Sequence, residues 1–351
     1  MSDNNKKILF ILPVSTQPRF AKRINHFISN NYNVTVLSFE RTYFHLNKLP
    51  RQIKYIKLGK IKSGNYISRI PKLLLSIFKI IKYSLSSDII YIFSKDILFL
   101  PGIFLNKNKI IYEIGDLRFT RNKFINLINY YIERYLFSKI SQIIVTSQGF
   151  NDYLIKDYKL DNNKIKIVEN KLPISFFNKP ESFQIIEQPF VLGVVGFFRY
   201  EILLELIKSF NKNDNNKFQI KLFGGGPLLP KLQKYFDDNN IIYYGQFQNP
   251  VDLKKIYNSI DVSFVMYDST ELNVKLAIPN KLYESAFFRK PIIVSSNTYL
   301  EKQVLNLGIG FSWDIERIDD LIKFLNSQDF IRYYNSLSKN FEKIGINQLI
   351  Q

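Results

Sequence analysis

The chain has 351 residues, which at roughly 150 residues per domain predicts two domains, each large enough to bury a core. A hydrophobic content of 46% excludes a disordered basic tail, and the absence of cysteine excludes disulfides, thiolate metal sites and a cysteine nucleophile while suiting a reducing compartment. The net charge is +19 and unevenly spread: 30 of the 49 basic residues but only 11 of the 30 acidic ones precede residue 181, and the remainder holds 19 of each. The whole excess therefore belongs to the first half. Such a field attracts nucleic acid, anionic lipid or acidic substrates, and charge alone does not choose among them.

Lys6 and Lys7 precede an apolar run, Ile8 to Val14, at the short limit for a signal peptide and with no small-residue cleavage site before Arg19. It predicts a first buried strand and no export. Short β-branched runs then alternate with helical patterns, as βαβ units and parallel sheets require. In the first half, strands are predicted at Lys7–Pro13, Asn33–Phe39, Lys54–Leu58, Asp88–Phe93, Lys109–Ile114, Gln142–Thr146 and Ile165–Val168.

The densest basic stretch carries Arg51, Lys54, Lys57, Lys60, Lys62, Arg69, Lys72, Lys79 and Lys82, with no acid before Asp88. Within it, Ser68–Ser86 reads as a helix. At about 100° per residue, Arg69, Lys72, Lys79 and Lys82 share one arc, while Leu73, Leu74, Ile77, Phe78, Ile80 and Ile81 cover most of the rest. Its uncharged run is far short of the roughly 20 residues that span a bilayer. Two readings fit: a core helix with a solvated lysine face, or a helix lying on an anionic membrane surface.

In open parallel sheets, ligands bind beyond the carboxyl ends of the strands. In the first half this singles out Glu113 and Asp116. Alternation sends Glu113 into the flank of the sheet and leaves Asp116 better placed to act as a general base or to orient a hydroxyl. A helix cap, or an ion pair with Arg118 or Arg121, is the competing role for Asp116. Of the two histidines, His26 and His45, neither falls at a strand end.

Residues 171–189 hold three prolines and no regular period, and read as a linker between a first domain, 1–170, and a second, 190–329. The second domain has predicted strands at Phe190–Gly196, Phe218–Phe223, Ile241–Tyr244, Val262–Met266, Pro291–Val294 and Ile309–Trp313. The fold class is α/β, two doubly wound domains. Residues 330–351 read as a terminal helix.

Three turns of the second domain fit phosphate chemistry. After Phe218–Phe223, Gly224-Gly225-Gly226-Pro227 leads into a helix predicted through about Phe236, with free N–H groups able to meet a phosphate or simply to make a tight turn. Gly196-Phe197-Phe198-Arg199 places a guanidinium at a strand end, where it can hold a diphosphate bidentately or be an ordinary surface arginine. Pro279 then starts a helix near Asn280, with Lys281 in its first turn, unfavourable unless an anion sits there, and Glu284 one turn on, suited to ribose hydroxyls and in need of a partner if buried. Asp-x-Asp, a pairing that would give a divalent cation hard oxygen ligands, does not occur, so no metal or other cofactor is expected.

The order Gly196…Arg199, Gly224-Gly225-Gly226-Pro227, Tyr244-Gly245-Gln246-Phe247, Asp261-Val262-Ser263, Pro279-Asn280-Lys281-Leu282-Tyr283-Glu284 and Lys290-Pro291-Ile292-Ile293-Val294 resembles the C-terminal domain of GT-B fold glycosyltransferases. It is most similar to the family 4 group that builds bacterial capsule, O-antigen and other surface polysaccharides. The first half is similar through Pro18-Arg19, Tyr112 to Leu117 and Thr146 to Phe150. The resemblance implies two Rossmann-like domains facing across a cleft, a nucleotide-sugar in the second, an acceptor in the first, and a C-terminal helix crossing back to the first. It implies donor contacts from Gly196, Arg199, Gly224, Gly225, Gln246, Asn273, Pro279, Asn280, Lys281 and Glu284, and assigns Arg19 to the acceptor or membrane face. Two departures stand out. The first glutamate of the group's paired-glutamate motif falls on Leu276, leaving Asn273 or Glu271 as substitutes, and its strand-end histidine falls on Gly115.

The expected activity is transfer of a sugar from a nucleoside diphosphate to a lipid-linked saccharide, by a cytoplasmic protein peripheral on the inner face of the membrane. A basic nucleic-acid-binding protein explains the charge but not the glycine turns, so no nucleic acid partner is expected. A nucleotide-sugar epimerase shares the architecture but fits poorly with the scarcity of histidine. Nothing in the sequence speaks to oligomeric state.

Overall fold

The β-branched runs of the sequence become strands because each is long enough to cross a buried layer and most are followed by a helix that packs on the sheet. In the computed structural model the described residues are 5–15, 17–40, 49–50, 52–61, 69–120, 122–174, 177, 179–213, 216–236 and 240–350. His45, Arg51, Lys62, Ser68 and Arg121 lie outside them. The chain divides into two units, Met1–Glu169 and Asn170–Gln351.

The first unit holds β1 (Lys7–Leu12), β2 (Asn33–Glu40), β3 (Lys54–Lys60), β4 (Ile89–Phe93), β5 (Ile110–Ile114), β6 (Gln142–Val145) and β7 (Ile165–Ile167). The second holds β8 (Phe190–Phe197), β9 (Phe218–Gly225), β10 (Ile241–Gly245), β11 (Val262–Val265), β12 (Ile292–Ser295) and β13 (Gly310–Trp313). Every predicted run is present, with ends that move by two residues at most. Each unit has one parallel sheet, in the orders β3-β2-β1-β4-β5-β6-β7 and β10-β9-β8-β11-β12-β13. The order reverses between β1 and β4 in one and between β8 and β11 in the other, which are the places where such sheets receive ligands.

In the second unit the pleat divides the core. Phe190, Leu192 and Val194 of β8 enter one apolar cluster and Val195 enters another. The same two clusters take up both ends of this unit's chain. Leu172 and Phe177, from the stretch that reads as a linker, are buried, and Leu172 bridges to Ile350. Phe330 and Tyr334 are buried in the first cluster, and Leu337, Phe341 and Leu349 in the second. Residues 330–350 form short helices whose aromatic side chains complete the core of the second unit. The boundary therefore falls at Glu169, and Lys171 and Lys179 pass to the second unit; the remaining excess of basic residues stays with the first.

The helix Ile70–Leu85 packs through a narrow stripe, Leu73, Ser76, Ile80 and Ser84. Lys72, Lys79 and Lys82 are exposed as expected, and so are Leu74, Leu75 and Phe78, the last at 84%. Arg69 is the correction. It is buried, with Nη1 3.0 Å from Asp96 Oδ2, because it precedes the helix and turns inward to satisfy that carboxylate. The predicted helix after the glycine turn is also shorter than expected, Leu229–Leu232 followed by a single tight turn.

The connections β3 to β4, β4 to β5 and β5 to β6 all step in the same direction across the sheet. Right-handed crossovers therefore place the helix Ile70–Leu85, the turn Pro101–Phe104 and the helix Lys123–Lys139 on one face. The turn touches the first helix. The second helix buries only Leu136 and Phe137, and leaves Phe124, Ile125, Leu127, Ile128, Tyr131, Ile132 and Tyr135 exposed.

At the end of the β8–β9 pair, Gly196 faces Gly224 and both have φ +134°. A Cβ on Gly224 would stand 1.8 Å from the carbonyl oxygen of Gly196, whereas one on Gly225 meets nothing closer than 3.7 Å. Gly224→Ala is expected to destabilise the chain by about 3 kcal/mol through backbone strain and overlap, and Gly225→Ala by less than about 1 kcal/mol. Urea unfolding midpoints measure the difference, and equal midpoints would contradict the close approach.

Candidate functional site

In the second unit, the strand ends at the β8/β11 reversal collect four of the expected donor residues. The helix Asn280–Phe287 begins after Pro279, as the sequence predicts, and buries Lys281 and Glu284 together. Lys281 Nζ donates to Glu284 Oε2 at 2.5 Å, and its aliphatic stem passes over Gly196, with Cε 3.5 Å from where a Cβ would be. The ammonium also lies 5.8 Å from the centre of the Phe247 ring. Two further donors hold the carboxylate: Tyr257 Oη at 2.8 Å from Oε2, and Asn249 Nδ2 at 3.5 Å from Oε1. Burial and then the adjacent Glu284 push the Tyr257 phenol far up, so it stays protonated and donates.

The buried glutamate thus has the partner it requires, and the cation that would otherwise sit unbalanced at a helix start is neutralised one turn on. Gln246 is exposed, and its amide lies 3.7 Å from where a Cβ on Gly225 would stand. Arg199 is exposed on the loop after β8, donates to the Tyr200 hydroxyl at 2.5 Å and stacks on that ring. It borders an open groove of about 900 Å³ with Tyr200, Asp268, Thr270 and Glu271. Asn273 lies half-buried on a separate short helix, Leu272–Leu276.

The first unit's strand ends are built around a second buried glutamate. Glu113 lies 3.2 Å from Arg23 Nε and 3.3 Å from Arg23 Nη2, and Tyr91 donates to it as well. Arg23 Nη2 also donates to the Val168 carbonyl at 3.1 Å. Burial and then Glu113 push the Tyr91 phenol well up, so this tyrosine too remains a donor. With every member buried and both carboxylate oxygens occupied, Glu113 is an internal tie between the first helix and β5. That corrects its candidacy as a catalytic group, as the alternation of β5 already hinted.

Asp116 is half-buried on the loop beyond β5 and makes no ion pair or cap among the described residues. The next helix is capped by Asn122, whose Oδ1 accepts from the N–H groups of Phe124 and Ile125. Arg19, at the start of the helix Pro18–Ser29, lies over the β4 and β5 ends. Its guanidinium stacks 5.2 Å from the Phe93 ring, and its Nη1 is 1.9 Å from where a Cβ on Gly115 would be. Nη1 is buried and has no hydrogen-bond partner among the described residues, an arrangement that costs about 1–3 kcal/mol.

Tyr257, Asn249, Arg23 and Tyr91 were not legible as site residues. Each reaches its glutamate across a large sequence separation, and only Phe247 carried a local signal, from the Tyr-Gly-Gln-Phe turn.

No family model and no curated protein matches the sequence. Solved structures do. Anabaena HepE in complex with UDP-glucose superposes with a TM-score of 0.70 at 15% identity, over 98% of this chain and 95% of that one. WaaG, a glycosyltransferase involved in lipopolysaccharide biosynthesis, gives 0.66 at 11% identity, over 97% of each chain. The UDP-GlcNAc 2-epimerase of Methanocaldococcus jannaschii gives 0.53 at 14% identity, over 92% and 93%. The chain therefore has the two-domain α/β fold of the GT-B glycosyltransferases.

Proposed function

We propose that this protein is a glycosyltransferase that moves a sugar from a nucleoside diphosphate to a saccharide acceptor carried by a lipid, in the assembly of a surface polysaccharide. The observation that carries the reading is the Lys281–Glu284 pair at the β8/β11 reversal, beside glycines that bring backbone N–H groups within reach of a ligand. Glu284 holds the ribose hydroxyls. Lys281 and Arg199 meet the charge of the leaving diphosphate, so that no metal is needed in this scheme. Asp116, which has no ion pair among the described residues, is the group that orients the acceptor hydroxyl or takes its proton. HepE, which binds UDP-glucose, superposes more closely than the epimerase, and this favours transfer over epimerisation.

The membrane reading draws support from the first unit. It holds nearly all the excess basic charge, and one face of its sheet carries three elements that expose large apolar side chains. Lysines beside exposed Phe, Leu and Tyr suit an anionic interface. No described helix is long and apolar enough to cross a membrane.

Calorimetric titration with UDP, GDP and dTDP is expected to show binding of at least one, and silence from all three would overturn the transferase reading. Glu284→Gln, which preserves volume, is expected to weaken that nucleotide by about tenfold or more, equivalent to about 1.4 kcal/mol, with the thermal midpoint checked in parallel. Unchanged affinity would mean that the ribose contact lies elsewhere.

Sedimentation with phosphatidylglycerol vesicles is expected for the native chain. It should be lost when Phe124, Leu127 and Tyr131 are replaced together by Ser, or when Lys72, Lys79 and Lys82 are replaced by Glu, with nucleotide affinity unaltered in both. Sedimentation that survives both sets would refute the docking face.

A further inference from the structure

We infer that Arg19 is a recognition group for an oxyanion of the acceptor, so that the acceptor carries a carboxylate or a phosphate next to the hydroxyl that is glycosylated. The inference deepens the transferase reading and rests on it.

The guanidinium lies at the carboxyl ends of β4 and β5, beside the reversal of strand order where a parallel sheet binds its ligand. The space it fills is provided by Gly115. That glycine does not have a positive φ, so its backbone would accept any residue; what forbids a side chain is the guanidinium itself, 1.9 Å from the Cβ position, with Phe93 at 2.7 Å. A larger residue at 115 would displace Arg19 from the strand ends.

Among the described residues no carboxylate forms an ion pair with Arg19. Arg23, one turn further along the same helix, occupies Glu113, and the surface under Arg19 is the face of Phe93, which offers no lone pair to Nη1. Among the described residues Nη1 is buried without a hydrogen bond, and so is Oε1 of Gln17, the residue that precedes the helix. An unpaired donor and an unpaired acceptor at one helix entrance suit a ligand that presents both an oxyanion and a hydroxyl. A planar guanidinium fork binds carboxylate and phosphate bidentately, whereas the ammonium of a lysine does not. The helix Pro18–Ser29 has no acid in its first turn to compete for the position.

The test uses the full chain saturated with UDP and follows arginine Nε–H resonances by NMR, Arg19 being assigned as the signal absent from Arg19→Gln. Glucuronate and inorganic phosphate are titrated separately, with methyl glucoside as a neutral control. The expected result is a saturable shift of the Arg19 signal with one of the two anions, which identifies carboxylate or phosphate as the source, and none with the control. Gly115→Ala is expected to weaken that anion by about tenfold or more while UDP affinity stays the same, and Arg19→Lys to restore only part of what Arg19→Gln removes. An Arg19 signal that moves with neither anion while UDP binds normally would overturn the inference and leave the transferase reading intact. A chain that does not bind UDP would remove the transferase reading and with it the acceptor role.

Discussion

A carboxylate taken fully out of water must be met by a cation and by hydrogen-bond donors, and this chain meets that demand twice. Glu113 in the first unit is bound by Arg23 and Tyr91; Glu284 in the second is bound by Lys281 and Tyr257. The first cluster ties a helix to β5, the second ties the helix Asn280–Phe287 to Tyr257 on the helix Leu253–Asn258, and in each the burial that makes the charge costly also keeps the tyrosine protonated as a donor. The rest of both candidate sites is arranged around these two fixed points.

The clusters differ in what they leave available. Arg23 engages Glu113 through two nitrogens and also ties down the chain after β7 through the Val168 carbonyl, so the charge is fully consumed within the fold. Lys281 reaches Glu284 from the same helix, three residues away, by a flexible stem that crosses a glycine. A compact ammonium on such a stem can exchange its partner for a phosphate without disturbing the core, and the carboxylate keeps Tyr257 when it does so. The first glutamate is thus held on both oxygens by partners from distant parts of the chain, whereas the second is held in part by a neighbour on its own helix.

Much of the architecture was legible because it depends on local patterns. All the strands appear where β-branched runs predict them, and the helix after Pro279 begins where the proline requires. Arg69 was misplaced because helical periodicity assigns a residue to an arc but does not see Asp96, which draws that side chain inward. Residues 171–189 and 330–351 were separated from the second domain because their polar, irregular sequence hides the few anchors, Leu172, Phe177, Phe330 and Phe341, that bury them. The aromatic face of Lys123–Lys139 was passed over for the opposite reason: an apolar helix reads as core, and only the solvent exposure of Phe124, Leu127 and Tyr131 shows otherwise.

By itself, the sequence determined the class of fold, the number of domains, the position of the charge and the glycine and proline turns at the strand ends, since each follows from residue type, spacing and backbone preference along the chain. Tertiary structure alone decided which charges are spent internally and which remain to meet a ligand. That question turns on pairings such as Arg23 with Glu113, 90 residues apart, and on the small space at Gly115 that admits Arg19, and neither leaves a periodic trace in the sequence.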